Sequence, residues 1–176
     1  EIPKGLVGSE MCIRDRDPTT INDGIRSDLA EFEGVKFKEE QDFVGQTVER
    51  KFVTAIADVM LRRMEEDDSI VVMGEDIHKL NGGPRGATKG LKDAFPDRVL
   101  GTPISEAAFT GLAGGIALDG RYTPVVELMY ADFIWVAADQ IFNQIGKARH
   151  MFGGQHDMAL VMRVKIGTRT GLSLIH

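Results

Sequence analysis

Apolar residues recur at near-helical spacing from Phe52 through Ile56, Val59, Met60 and Met64, with Arg62, Arg63, Glu65 and Glu66 left for the solvent face. That period predicts an amphipathic helix over Lys51–Glu66. The pattern then changes. Ser69–Gly74, "SIVVMG", is a short continuous apolar run, as expected of a strand covered on both faces. Three more runs of this kind follow: "RVLGTP" ending at Pro103, "TPVVELM" over Thr123–Met129 and "MALVMRV" over Met158–Val164. Helical segments separate them. "GLKDAF" is a short one that Pro96 closes, Ser105–Leu118 is a second, and Ala131–Phe152 reads as one long helix stopped by Gly153 and Gly154. Strands alternating with helices predict an α/β fold, a mostly parallel sheet with helices on both faces.

In such a sheet ligands sit beyond the carboxyl ends of the strands. Three features are expected there: Glu75–Asp76 after the first strand, Glu106 after the second, and Tyr130–Phe133 after the third. Each also has a plain structural reading. Glu106 serves equally as a first-turn acid beside a Ser105 cap, gaining a few tenths to about 1 kcal/mol from the helix dipole. Glu75–Asp76 reads more readily as a solvated strand end than as a ligand. Tyr130, Phe133 and Trp135 suit a core as well as a flat heterocycle. His78, His150 and His156 are dispersed and read as surface or structural.

The net charge of −6 and the absence of a basic stripe give no support to nucleic-acid binding. No apolar run reaches the 18 residues of a spanning helix and no signal peptide is evident, which leaves the cytoplasm as the expected setting. The lone Cys12 excludes an internal disulfide framework. No HxH, CxxC, DxDxDG or GxxxxGK[ST] spacing occurs, so neither a metal site nor a P-loop within the chain is supported. The glycines of "GLAGG" fall inside a helix rather than between strand and helix, which argues against a dinucleotide loop. Gly111, Gly114 and Gly115 each cost roughly 1 kcal/mol relative to alanine there. They predict a close neighbour for this helix, expected to be a helix of a partner subunit or of another half of the same protein.

The two ends differ from the rest. Residues 1–16 and 172–176 show no period and resemble translated sequencing-adapter read-through, so Cys12 and His176 are expected to carry no function. Residues 17–49 are polar and charged and read as a linker with room for a short helix. The folded unit is expected over 50–171.

Within that unit "MGEDI", "GGPRGATKGL", "GTPISEAAFTGLAGGIAL" and "VVELMYADFIWVAADQIFNQIGKARHMFGGQ" follow one another in an order and spacing that resembles the beta chain of the thiamine-diphosphate-dependent 2-oxoacid dehydrogenases. The resemblance implies the pyrimidine-binding domain of a transketolase-like fold, incomplete here at its carboxyl end. It implies an oxidative decarboxylation in which Glu106 is the catalytic carboxyl that hydrogen-bonds the cofactor's aminopyrimidine. It also puts Phe133, Met129 and Glu75 in the cofactor slot, and a backbone potassium contact near Leu160. Magnesium and the diphosphate would be held by a GDG-type motif on an alpha chain or alpha half; none occurs here. The family's "QHS" histidine is likewise absent. The implied partners are that alpha chain or half, of a fused alpha–beta parent or of separate chains, and a lipoyl acyltransferase, within an oligomer. The fragment alone is expected to be inactive. The rival readings are another transketolase-like thiamine enzyme, such as a transketolase or a deoxyxylulose-phosphate synthase, and a non-catalytic assembly module of the same fold.

Overall fold

A computed structural model describes residues 48–79, 81–83 and 85–166, together with residues 34, 36, 39–43 and 45. The expectations on the two tails, and most of those on the linker, fall outside these residues. Helix α1 spans Phe52–Glu66, strand β1 Ile70–Glu75, a one-turn helix α2 Leu91–Ala94 and strand β2 Val99–Thr102. Helix α3 spans Glu106–Asp119 and strand β3 Thr123–Leu128. A 3-10 turn at Ala131–Ile134, a π-helix at Asp139–Ile145, helix α4 at Gly146–Met151 and strand β4 at Val161–Val164 complete the unit. The four strands form one sheet in the order β2-β1-β3-β4, and every pairing is parallel. The fold class predicted from the alternation is therefore the one observed.

Both faces of the sheet are covered. Every residue of β1 is buried, and alternate side chains serve opposite layers because a strand has a period of two. Ile70 and Val72 pack with Met64, Leu91, Val99 and Val125 under α1 and α2. Val71 and Met73 pack with Phe109, Ala113, Val126 and Leu128 under α3 and the π-helix. The chain leaves β1 toward β2 on one side and β3 toward β4 on the other. The order reverses between β1 and β3, so the crevice expected of an open α/β sheet opens at their carboxyl ends.

Several expectations are corrected. The covered face of α1 is Ala57, Met60, Leu61 and Met64, with Val53 and Ile56 half-buried, whereas Phe52 (82% exposed) and Val59 (46%) turn outward. Strand β4 begins at Val161, later than predicted. Ala131–Phe152 is not one helix but a 3-10 turn, a π-helix and a short α-helix. The physical reason lies in α3. A Cβ on Gly111 would stand 2.9 Å from Gln140 Oε1, and one on Gly114 2.9 Å from Ile145 Cγ1. Gln140 and Ile145 thus fill the groove those glycines leave. Five residues apart, they would lie about 140° apart around an α-helix, but an i→i+5 helix brings them onto one face. The close neighbour predicted for the glycine helix is thus this chain's own π-helix for Gly111 and Gly114, while Gly115 meets only open space. The glycine stop is observed as expected: Gly153 and Gly154 take positive φ, and their amides donate to His150 O and Arg149 O.

Candidate functional site: an acidic pair at the carboxyl edge of the sheet

Glu75 is the last residue of β1 and pairs in register with Thr102, the last of β2. Helix α3 begins four residues later, at Glu106. The two glutamates are each 6% exposed. Carboxylates are rarely buried without a partner, and here each is the other's. Burial first, then the charge of Glu106 and a hydrogen bond shared with it, push the Glu75 carboxyl up to about 7. Asp76 adds to the rise, and a backbone hydrogen bond from Ser105 opposes it. Glu75 Oε1 is buried with no hydrogen-bond partner among the described residues, as are Thr102 Oγ1 and Thr110 Oγ1. Thr110 lies one helical turn past Glu106 on α3, and neighbours at this spacing share a face. The edge of the sheet therefore carries buried polar atoms that lack protein partners.

Across the crevice, β3 ends at Leu128 and the chain passes through half-buried Met129 and Tyr130 into the 3-10 turn. The Ala131 amide donates to Lys165 O at 3.0 Å, which ties this turn to the exit of β4. The rings of Tyr130 and half-buried Phe133 meet edge to face at 5.9 Å. Ile134 packs in the same core layer as Phe109 of α3. Glu75, Glu106, Met129 and Phe133 thus all lie at the carboxyl edge of the sheet.

Leu160 does not join them. It immediately precedes β4, at the amino end of the strands, and its side chain packs in the layer under α3. Trp135 also stands apart, 74% exposed and tilted against Phe142 at 6.1 Å. His78, His150 and His156 are exposed, in line with the surface reading. Ser105 precedes α3 without a side-chain capping bond. Among the described residues no group of three or more His, Cys, Asp or Glu is placed to hold a metal ion.

The residue pattern alone reads Glu75 more readily as a solvated strand end, whereas the resemblance puts it in the cofactor slot. Glu127 was missed altogether. It is 2% exposed within β3, ion-paired with Arg163 and, at 2.6 Å, with Lys165. The signal was present. A charged residue inside the uninterrupted run "VVELM" must be paired, and "MRVK" supplies two cations at alternate positions of the next strand.

Residues 49–169 match the family model described as transketolase, pyrimidine binding domain. The chain is 42% identical over 122 residues to the beta subunit of acetoin:2,6-dichlorophenolindophenol oxidoreductase from Cupriavidus necator, covering 64% of this chain and 36% of that protein. It is 38% identical over 123 residues to the beta-1 subunit of the mitochondrial pyruvate dehydrogenase E1 component from Oryza sativa, covering 69% and 32%. It is also 38% identical over 123 residues to the corresponding beta subunit from Rickettsia felis, covering 69% and 37%. The chain spans about a third of the length of the curated relatives it matches.

Proposed function

This chain belongs to the transketolase pyrimidine-binding domain family, and from that premise we propose that it forms the aminopyrimidine half of a thiamine diphosphate site. The whole protein is then the decarboxylating component of a 2-oxoacid dehydrogenase complex. The observation that carries this reading is the buried Glu75–Glu106 pair at the same carboxyl edge of the sheet as the aromatic pair of Tyr130 and Phe133.

The residues suit the group. Two carboxyls in one buried place hold a proton between them, because both cannot ionise together. With Glu75 raised to about 7, the pair offers one O–H donor and one acceptor at neutral pH. An aminopyrimidine presents the complement, ring nitrogens that accept and an amino group that donates. The partnerless Glu75 Oε1 is a further polar atom for which a ligand is the missing partner. When bound, thiamine diphosphate supplies a nucleophilic carbon and an electron sink for loss of carbon dioxide. This chain's task is to hold and move the proton that activates it. Glu75, its carboxyl pushed up to about 7, holds the proton, Glu106, fixed at the first turn of α3, is the carboxyl that meets the ring nitrogen, and Phe133 and Met129 wall the slot.

The diphosphate and its magnesium belong on an alpha chain or alpha half, and the acyl product passes to a lipoyl acyltransferase. The chain alone is therefore inactive, since such sites act as units. The proposed setting is the cytoplasm, against rice relatives named for the mitochondrion and the chloroplast. The backbone potassium contact near Leu160 would be structural, remote from the acidic pair. Cleavage of acetoin is a second reading, favoured by the 42% identity to the Cupriavidus necator protein. Glu106→Gln in the complete enzyme tests both. Turnover of pyruvate, a branched-chain oxoacid or acetoin should fall by roughly 10²–10⁴-fold. Undiminished turnover with all three substrates sinks the proposal, and the substrate turned over by the unsubstituted enzyme chooses between the readings.

A further inference from the structure

On the face of the sheet opposite the acidic pair, a cavity of 610 Å³ opens beside the start of α1 and the end of β4. Phe52, Val53, Ile56 and Tyr130 give it apolar walls, and Arg85 and Lys165 line it with positive charge. Among the described residues nothing covers its rim. Phe52 is 82% exposed and Ile166, also on its wall, 88%. The charge is unbalanced as well. Arg163 and Lys165 share the single carboxylate of Glu127, and Arg85 adds a third cation from the glycine-rich loop. The groove asks for an occupant that is apolar on one side and acidic on the other.

The chain contains such a segment. After the turn signal Asn22–Gly24, Ile25, Leu29 and Phe32 recur at the i, i+4, i+7 spacing of one helical face. Asp28, Glu31 and Glu33 stand against the single Arg26. These residues lie outside those described. We propose that residues 25–33 dock in this groove of the same chain, the apolar stripe against Phe52, Val53 and Ile56 and the acids against Arg85 and Lys165. Helix-in-groove recognition works through anchors at this spacing. The tether permits it. The 19 positions from Glu33 to Phe52 reach roughly 60 Å when extended, and Phe52 itself lines the groove. A short tether gives an effective concentration in the millimolar range, so a modest intrinsic affinity suffices. Through Tyr130, which lines the groove and touches Phe133 edge to face, the docked segment backs the aromatic wall of the candidate site.

The test uses the full chain with Cys12→Ser and Ser27→Cys, spin-labelled at position 27 on the side of the segment away from the stripe. Amide resonances of Val53, Ile56 and Val164 should be broadened at all protein concentrations. Leu29→Asp should abolish the broadening. Arg85→Glu should weaken it, and adding Glu31→Arg should restore it. Because Arg85 is exposed, its reversal leaves the core untouched. No broadening in the starting protein overturns the proposal, as does broadening that survives Leu29→Asp. Broadening in a mixture of spin-labelled chain with isotope-labelled, unlabelled chain assigns the groove to a second copy and equally overturns it.

Discussion

Glu75 and Glu106 bury their carboxyl groups against one another at two sequential strand-to-helix turns, and burial, then the charge of Glu106, pushes the Glu75 carboxyl up to about 7. Its ordinary value is 4.5. Between these limits the folded chain holds a proton that the unfolded chain has released, so stability falls as pH rises from about 4.5 to about 7 and is level above that. The loss should amount to about 1–3 kcal/mol. Glu75→Gln removes the proton exchange and should flatten this slope, leaving the variant more stable than the parent at pH 8 but not at pH 4. Urea midpoints across that range measure it. Parallel pH profiles for the two proteins would show that Glu75 ionises freely when folded.

Glu127 presents a different case, a buried carboxylate paired with two cations. Its partners Arg163 and Lys165 retain only 16% and 15% of their side-chain exposure. Glu127→Gln strands two cations in a poorly solvated place, and breaking a buried pair in this way typically costs about 3–5 kcal/mol. Thermal unfolding of the full chain should show a loss on that scale. A triple variant that also replaces Arg163 and Lys165 with methionine should recover part of it. A single-variant loss below about 1 kcal/mol would mean that water reaches the cluster.

What the sequence disclosed and what it hid follow from the range of the forces involved. The strands β1 and β3 were legible because both their faces are covered, which writes an unbroken apolar run. The position of Glu106 was legible because a strand–turn–helix step is local. The direction in which Glu75 points was not, since it depends on β2 lying beside β1 and on α3 crossing back, contacts made between distant parts of the chain. The break in Ala131–Phe152 was hidden for the same reason. Its local propensity is helical throughout, and only the groove at Gly111 and Gly114 selects the wider turn that sets Gln140 and Ile145 side by side. Glu127 was legible in principle, as a charge within a buried run whose cations sit at matched register one strand away.

That account of α3 ranks three glycines that look alike in sequence. At Gly115 a Cβ meets nothing and φ is ordinary, so Gly115→Ala should stabilise the chain by roughly 0.5–1 kcal/mol through helix propensity alone. At Gly114 a Cβ comes within 2.9 Å of Ile145 Cγ1, a side-chain atom with some freedom to shift, so Gly114→Ala should lie near neutrality as propensity and crowding offset each other. Gly114→Leu has no such escape. Its side chain would have to enter the space Ile145 fills in a buried layer, at a cost of about 1–3 kcal/mol for overpacking. Denaturant unfolding of the three variants should place them in the order Gly115→Ala, Gly114→Ala, Gly114→Leu from most to least stable. If the glycines instead served a partner subunit, Gly115→Ala would leave this chain's own stability as predicted but weaken assembly of the complete enzyme, and Gly114→Leu would be tolerated by the isolated chain. Comparing isolated and assembled forms separates packing within the chain from packing between chains.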